Sequence, residues 1–150
     1  MGLGEEYKKY GISENQEQEW YREYIEFWVN QLSVDDLTPV NRLSDAWAGE
    51  ALPDLIKMAD QGDSYAKLWY ANAIWDIAKG VSVSGSLRRQ ARNTSINLWQ
   101  SIVQGPIEVS ENHKAEIVPS MKSLDASTPE EYVLNYADRR LTSAKNQGKL

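Results

Sequence analysis

One segment limits the fold more than any other. Read at helical spacing, residues 64–79 are apolar along two lines: Ala66, Tyr70, Ala73, Ile74 and Ile77 on one, Leu68, Ala71, Trp75 and Ala78 on the other. A helix apolar on one face rests on a neighbour, whereas a helix apolar on both must lie between neighbours. A chain of 150 residues holds roughly one core of ordinary size. The segment therefore predicts the central helix of a single domain spanning 1–150.

Helical signals recur on both sides of it. Ser13 and Gln16 have capping-box spacing, and Tyr21, Tyr24, Ile25, Trp28, Val29 and Leu32 follow at i, i+3, i+4, i+7, i+8 and i+11, predicting a helix over 14–32. Thr38-Pro39 reads as a cap and first helical residue, opening a helix to about Ala51. From Pro53, Leu52, Leu55, Ile56 and Ala59 share a face; Gly62 reads as a left-handed C-cap and Asp63 as the next N-cap. Gly80 ends the central helix, and a Ser-rich loop precedes a helix over 87–104 that Gly105-Pro106 stops. Residues 107–127 carry no clear period, and Pro119 breaks or begins a turn. Thr128-Pro129-Glu130-Glu131 is the cleanest start signal and opens a C-terminal helix over 129–146. The whole reads as an all-α fold of about five to seven helices arranged as antiparallel hairpins.

The stretch 52–105, about a third of the chain, resembles a Sel1-like repeat, a relative of the tetratricopeptide class. The residues that carry the likeness are Ala59-Asp60-Gln61-Gly62-Asp63, then Ala66, Lys79-Gly80-Val81, and Trp99 ahead of Gly105. Small residues at these places let helices pack closely, and glycines at their ends permit tight reversal. The resemblance implies a helical hairpin and an adaptor role.

Composition excludes several classes. With no cysteine there is neither a disulfide framework nor a thiolate metal site, and the single histidine, His113, cannot build a multi-histidine metal centre or relay. Its neighbours Glu111 and Lys114 and the preceding Ser110 suggest a surface or capping histidine. No metal and no cofactor is expected. The net charge of −6 argues against a nucleic-acid partner, whose phosphates require Lys and Arg. No apolar run approaches the roughly 20 residues that cross a bilayer, so a membrane is not expected either. The start lacks a signal-peptide pattern, and Gly2 lacks the Ser or Thr that myristoylation wants at position 6, which leaves a cytoplasmic protein as the expectation.

The charge is local. Residues 1–40 hold nine acids against three bases, which accounts for the entire −6; residues 41–150 hold thirteen of each. In the same acidic stretch, five aromatics fall within nine residues: Trp20, Tyr21, Tyr24, Phe27 and Trp28. Trp and Tyr dominate binding hot spots, and surrounding charge steers association. This points to a protein-interaction module without catalytic activity, docking a protein partner through Trp20, Tyr21, Glu23, Tyr24, Phe27 and Trp28. Its sharper form is a basic partner, as for an immunity or inhibitor protein that blocks a basic toxin or a nucleic-acid-binding surface.

Two further constellations compete. Glu19, Glu23 and Glu26 occupy adjacent turns, the first two at i,i+4, and paired carboxylates could serve a hydrolase if one pKa were raised. A solvated acidic face explains them with less, so no catalytic residue is assigned. Arg88, Arg89 and Arg92 crowd the start of a helix, where cations oppose the dipole at about 0.3–1 kcal/mol each. An anionic ligand offsets that cost, or the acidic N-terminal helix does by folding over them, or they stand exposed in solvent.

Overall fold

The computed structural model describes residues 13–148. Within that range its regular structure is all helical, with seven α-helices and no strand: α1 (Glu14–Asn30), α2 (Thr38–Asp45), α3 (Leu52–Met58), α4 (Ser64–Ile77), α5 (Gly85–Gln104), α6 (Glu111–Ile117) and α7 (Pro129–Gly148). Two short 3-10 segments, Gly49–Ala51 and Val118–Leu124, complete it. Gly2 and the charged residues Glu5, Glu6, Lys8 and Lys9 lie outside the described residues.

The helix starts are written locally. At α1 the Ser13 hydroxyl accepts from the Gln16 N–H at 3.2 Å while the Gln16 side chain accepts from the Ser13 N–H at 3.3 Å, a complete capping box. Ser84 and Ser110 cap α5 and α6 by the hydroxyl alone, accepting from the Leu87 and His113 N–H groups, and the Thr128 hydroxyl accepts from the Glu131 N–H at 3.1 Å to start α7.

The doubly apolar segment forms α4 and is buried on nearly every side, packed by α2, α3, α5 and α7. Polar contacts fix its register against α5. Ser95 donates to the Ala71 carbonyl at 2.8 Å, and the fully buried Trp99 donates its indole N–H to Asn72 Oδ1 at 3.0 Å. From α7, Arg140 donates to the Asn72 carbonyl and to Asp76, and its guanidinium lies 5.1 Å over the Trp99 ring. By contrast α1 sits at the edge. It buries only Ile25 fully and rests chiefly on α2 and the 3-10 turn at 49–51.

Four local expectations are corrected. The N-cap of α2 is Leu37, which makes no side-chain cap bond, rather than Thr38; Asp36 just ahead of it accepts from the Thr38 N–H at 3.0 Å. It stops at Asp45 instead of continuing to Ala51, because Trp47 turns the chain at φ 53°. Its N–H donates to the Ser44 carbonyl and that of Ala48 donates to the Leu43 carbonyl, the bond pattern of a Schellman cap. Gly62 is not in the left-handed region; α3 ends earlier, at Met58, and Gly62 serves packing instead. A Cβ there would stand 2.6 Å from that of Ala66 and 2.7 Å from that of Val34. Last, His113 is buried, only 2% exposed, rather than at the surface. Ser110 does cap its main chain, but the ring turns inward between α4 and the loop that joins α1 to α2.

Candidate functional site

A groove of about 1470 Å³ lies beside α1, and its other wall is the segment 45–54. Three aromatic residues of α1 line it, Trp20, Tyr21 and Tyr24, and Trp47 faces them from the end of α2. Six carboxylates share the lining: Glu14, Glu17 and Glu26 from α1, and Asp45, Glu50 and Asp54 opposite; Arg22 is the one cationic side chain among them. A concave surface carrying one sign of charge over low-dielectric walls focuses its field outward and selects the opposite charge.

The seat of α1 explains why its aromatics divide. Ile25 is the buried anchor, with Tyr21, Trp28 and Val29 packed partly against the core. Tyr21 donates its hydroxyl to the Ala46 carbonyl at 3.2 Å, tying α1 to the end of α2. Burial, with Glu50 nearby, raises its pKa, so the phenol stays a neutral donor. Trp20, Tyr24 and Phe27 remain exposed at 45%, 42% and 54%. Phe27 and Tyr24 both set an edge-to-face contact against Trp28, at 5.0 and 6.2 Å between centroids.

The structure thus separates the six residues that the sequence groups. Trp20, Tyr21 and Tyr24 line the groove, whereas Glu23, Phe27 and Trp28 lie outside its lining. Tyr21 and Trp28 are half-buried; Glu23 is exposed.

Trp47 escaped the sequence reading. It is 58% exposed and sits at the C′ position of a Schellman cap, a place usually held by glycine because a β-carbon there costs about 1–2 kcal/mol. Its signal was its isolation, a tryptophan between two alanines on no apolar stripe. Asp45, Glu50 and Asp54 were missed as well, because they belong to a part of the chain whose charges balance.

The arginines of α5 do different things. Arg88 folds back on the end of α4, donating to the carbonyls of Ala78 and Gly80 at 2.9 Å and of Val83 at 3.2 Å. It holds the carbonyls of the turn that follows α4, and that charge-assisted bonding offsets its unfavourable place at the α5 N-terminus. Its partners are therefore main-chain oxygens rather than the acidic α1. Arg92 lies 5.6 Å over the Trp75 ring, and Arg89 is exposed.

The carboxylates of the groove are exposed apart from the half-buried Glu17. Among the described residues no group of three or more His, Asp or Glu side chains is placed to hold a metal ion, and no helix is long and apolar enough to cross a membrane.

No protein-family model, no curated protein and no solved structure matches the chain.

Proposed function

We propose that this chain is a protein-interaction module that docks a basic partner in the groove between α1 and residues 45–54. The observation that carries the reading is Trp47. A large aromatic is held mostly exposed in a strained backbone conformation, on the rim of a groove with six carboxylates and one arginine. Strain retained at an exposed position points to use of that side chain. Trp20 and Tyr24 supply further anchors, and the carboxylates supply steering and register.

The inhibitor reading shares this chemistry. Exposed carboxylates around aromatic anchors match a surface built for nucleic acid, so a protein that bears such a surface is the favoured type of partner. The Sel1-like reading draws on α4 and α5. Ala78 pairs with Arg88 and Ala71 with Ser95, so the contacts descend one helix as they climb the other, as in an antiparallel hairpin. On this reading the hairpin is the scaffold and α1 carries the recognition.

The test is a capture experiment with the intact protein in extract from its source, repeated with Trp47→Gly, Glu50→Lys and Phe27→Ala after each has been shown to fold. Glycine suits the left-handed position, so Trp47→Gly removes the ring without new backbone strain. A specific basic protein retained by the wild type and by Phe27→Ala, and lost with Trp47→Gly and Glu50→Lys, is the expected result. Added salt should slow its association. Retention undiminished by both groove variants, or an acidic partner, overturns the proposal.

A further inference from the structure

The chain has one histidine, and its ring is bonded at both ends. Nδ1 stands 2.8 Å from Asp63 Oδ2, and Nε2 stands 2.9 Å from the main-chain oxygen of Asp35. A neutral imidazole has one N–H and one bare lone pair, and two oxygen acceptors can be satisfied only by the doubly protonated ring. Asp63 cannot supply the missing proton. Its Oδ1 accepts from the Ala66 N–H at 2.8 Å and its Oδ2 from the Ser110 N–H at 2.8 Å, so the group is held as a carboxylate by donors on both sides.

The oxygen bonded by Nε2 belongs to the loop between α1 and α2. Inside that loop the Ser33 hydroxyl accepts from the N–H groups of Asp35 and Asp36. Beside the packing of Leu37 and Val34 against the core, two side-chain hydrogen bonds hold the loop to the body: Tyr70 donates to the Ser33 carbonyl at 2.9 Å, and His113 donates to that of Asp35. Because α1 otherwise rests chiefly on α2 and the turn at 49–51, this loop fixes where α1 leaves the body.

We propose that His113 is a protonation latch: its imidazolium pins the Asp35 carbonyl and so the seat of α1, and loss of one ring proton to solvent releases that loop and loosens the α1 wall of the groove. That the loosened wall changes partner binding rests on the docking function proposed above; the latch itself does not.

The groups around the ring support the assignment. Asp63 and Tyr65 face it from α4, Glu116 from α6 itself, and Asp35 from the loop through its carbonyl, with Tyr132 of α7 beside Tyr65. Burial works against the charged ring, but the bonds to Asp63 and Asp35 and the charges of Asp63 and Glu116 outweigh it, so the pKa of His113 lies above its ordinary value. Tyr65 and Tyr70 are each pushed up to about 12 by burial, which leaves the Tyr70 hold in place through the range where His113 releases.

The only histidine gives an unambiguous nitrogen signal. The imidazole ¹⁵N shifts of the intact protein are followed from pH 5 to 9, alongside amide exchange expressed as protection factors. The expected result is a doubly protonated ring at low pH and a titration above about 6.5. Protection in the loop 31–37 and in α1 should fall at least about tenfold through that same titration, the scale of losing one charge-assisted hydrogen bond. Protection in α4 and α5 should stay. His113→Gln should show the lowered α1 protection already at pH 5 and no step; if that variant unfolds, the wild-type step alone decides. Tyr70→Phe should lower loop protection at every pH and keep the step. A ring that is singly protonated at pH 5, or α1 protection that is flat across the titration, overturns the latch. Failure of the Trp47→Gly capture would instead overturn the docking site and leave the latch standing.

Discussion

Gly62 offers a clean distinction between two reasons for a glycine. If it served as a left-handed cap, Asn would replace it nearly as well, since Asn tolerates that conformation. The structure assigns it a steric role: a Cβ would meet the Ala66 Cβ at 2.6 Å and the Val34 Cβ at 2.7 Å. Carbon atoms prefer about 3.5–4.0 Å, so each contact overlaps by about 1 Å. Neither neighbour is a flexible side-chain end. Ala66 belongs to the buried first turn of α4, and Val34 to the loop held by Tyr70 and His113. Relief therefore requires main-chain movement, at the roughly 1–3 kcal/mol typical of overpacking. Against it stands about 0.4–1 kcal/mol from the reduced freedom of the unfolded chain. Gly62→Ala should lose a net 1–2 kcal/mol or so in urea unfolding, and roughly 3–8 °C in Tm for a chain of this size. Gly62→Asn should fall with it, since it adds the same Cβ. In the Gly62→Ala background Ala66→Gly should recover part of the loss, while Val34→Ala, which keeps its Cβ, should recover little. A neutral or stabilised Gly62→Ala, or an Asn variant indistinguishable from wild type, would refute the steric argument.

The His113–Asp63 pair sets a pH window for global stability. The pKa of His113 is raised on folding, so its contribution is complete below about 6.5 and lost as pH climbs through the folded value; that of Asp63 is lowered, against the opposing effect of burial, by donors from Ser110, Ala66 and His113, so its contribution is present above about 4 and lost as pH falls through the folded value. Urea midpoints for the wild type should therefore peak between about pH 4 and 6.5, and the alkaline decline between pH 6 and 8.5 should be shallower in His113→Gln; parallel declines would contradict it. Trp99→Phe keeps most of the buried ring but leaves Asn72 Oδ1 without its donor, so calorimetry should show a loss of about 1–3 kcal/mol from that orphaned acceptor, and a change within 0.5 kcal/mol or so would mean that Asn72 finds another partner.

How far the sequence disclosed this molecule follows from the range of each interaction. Capping at Ser13, Asp63 and Thr128 joins residues three apart, so its pattern is printed in consecutive letters, and α1, α4 and α7 could be placed from it. The apolar lines of α4 named the centre of the core for the same reason. His113 shows the opposite case. Its local context, Ser110 before it and Glu111 and Lys114 around it, describes only its main chain, while the partners of its ring are 50 and 78 residues away. Gly62 misleads likewise, since a glycine between two helices looks the same whether the backbone or the space requires it. Trp47 had no period to place it, and the opposite wall of the groove was hidden with it.

The charge of the groove carries this lesson furthest. By sequence the whole excess of acid lies in residues 1–40, and the remaining 110 residues are neutral. Yet half of the six groove carboxylates, Asp45, Glu50 and Asp54, come from that neutral part. A neutral segment can present a negative surface when its cations are engaged elsewhere, and several of them are. Arg88 is turned onto main-chain carbonyls, Arg140 is bonded to Asn72 and Asp76, Lys79 pairs with Asp76, and Lys114 pairs with Glu111 and Glu130. The groove itself is lined by a single base, Arg22 of α1, against six carboxylates, so those opposite α1 add to its acid rather than balance it. Folding thus draws exposed carboxylates into the groove from a segment whose net charge is zero. Reversing Glu50 should consequently weaken a basic partner as much as reversing Glu17 on α1, even though only Glu17 lies in the acidic quarter; a Glu50→Lys variant that binds like wild type while Glu17→Lys does not would confine recognition to α1 and remove the second wall from the site.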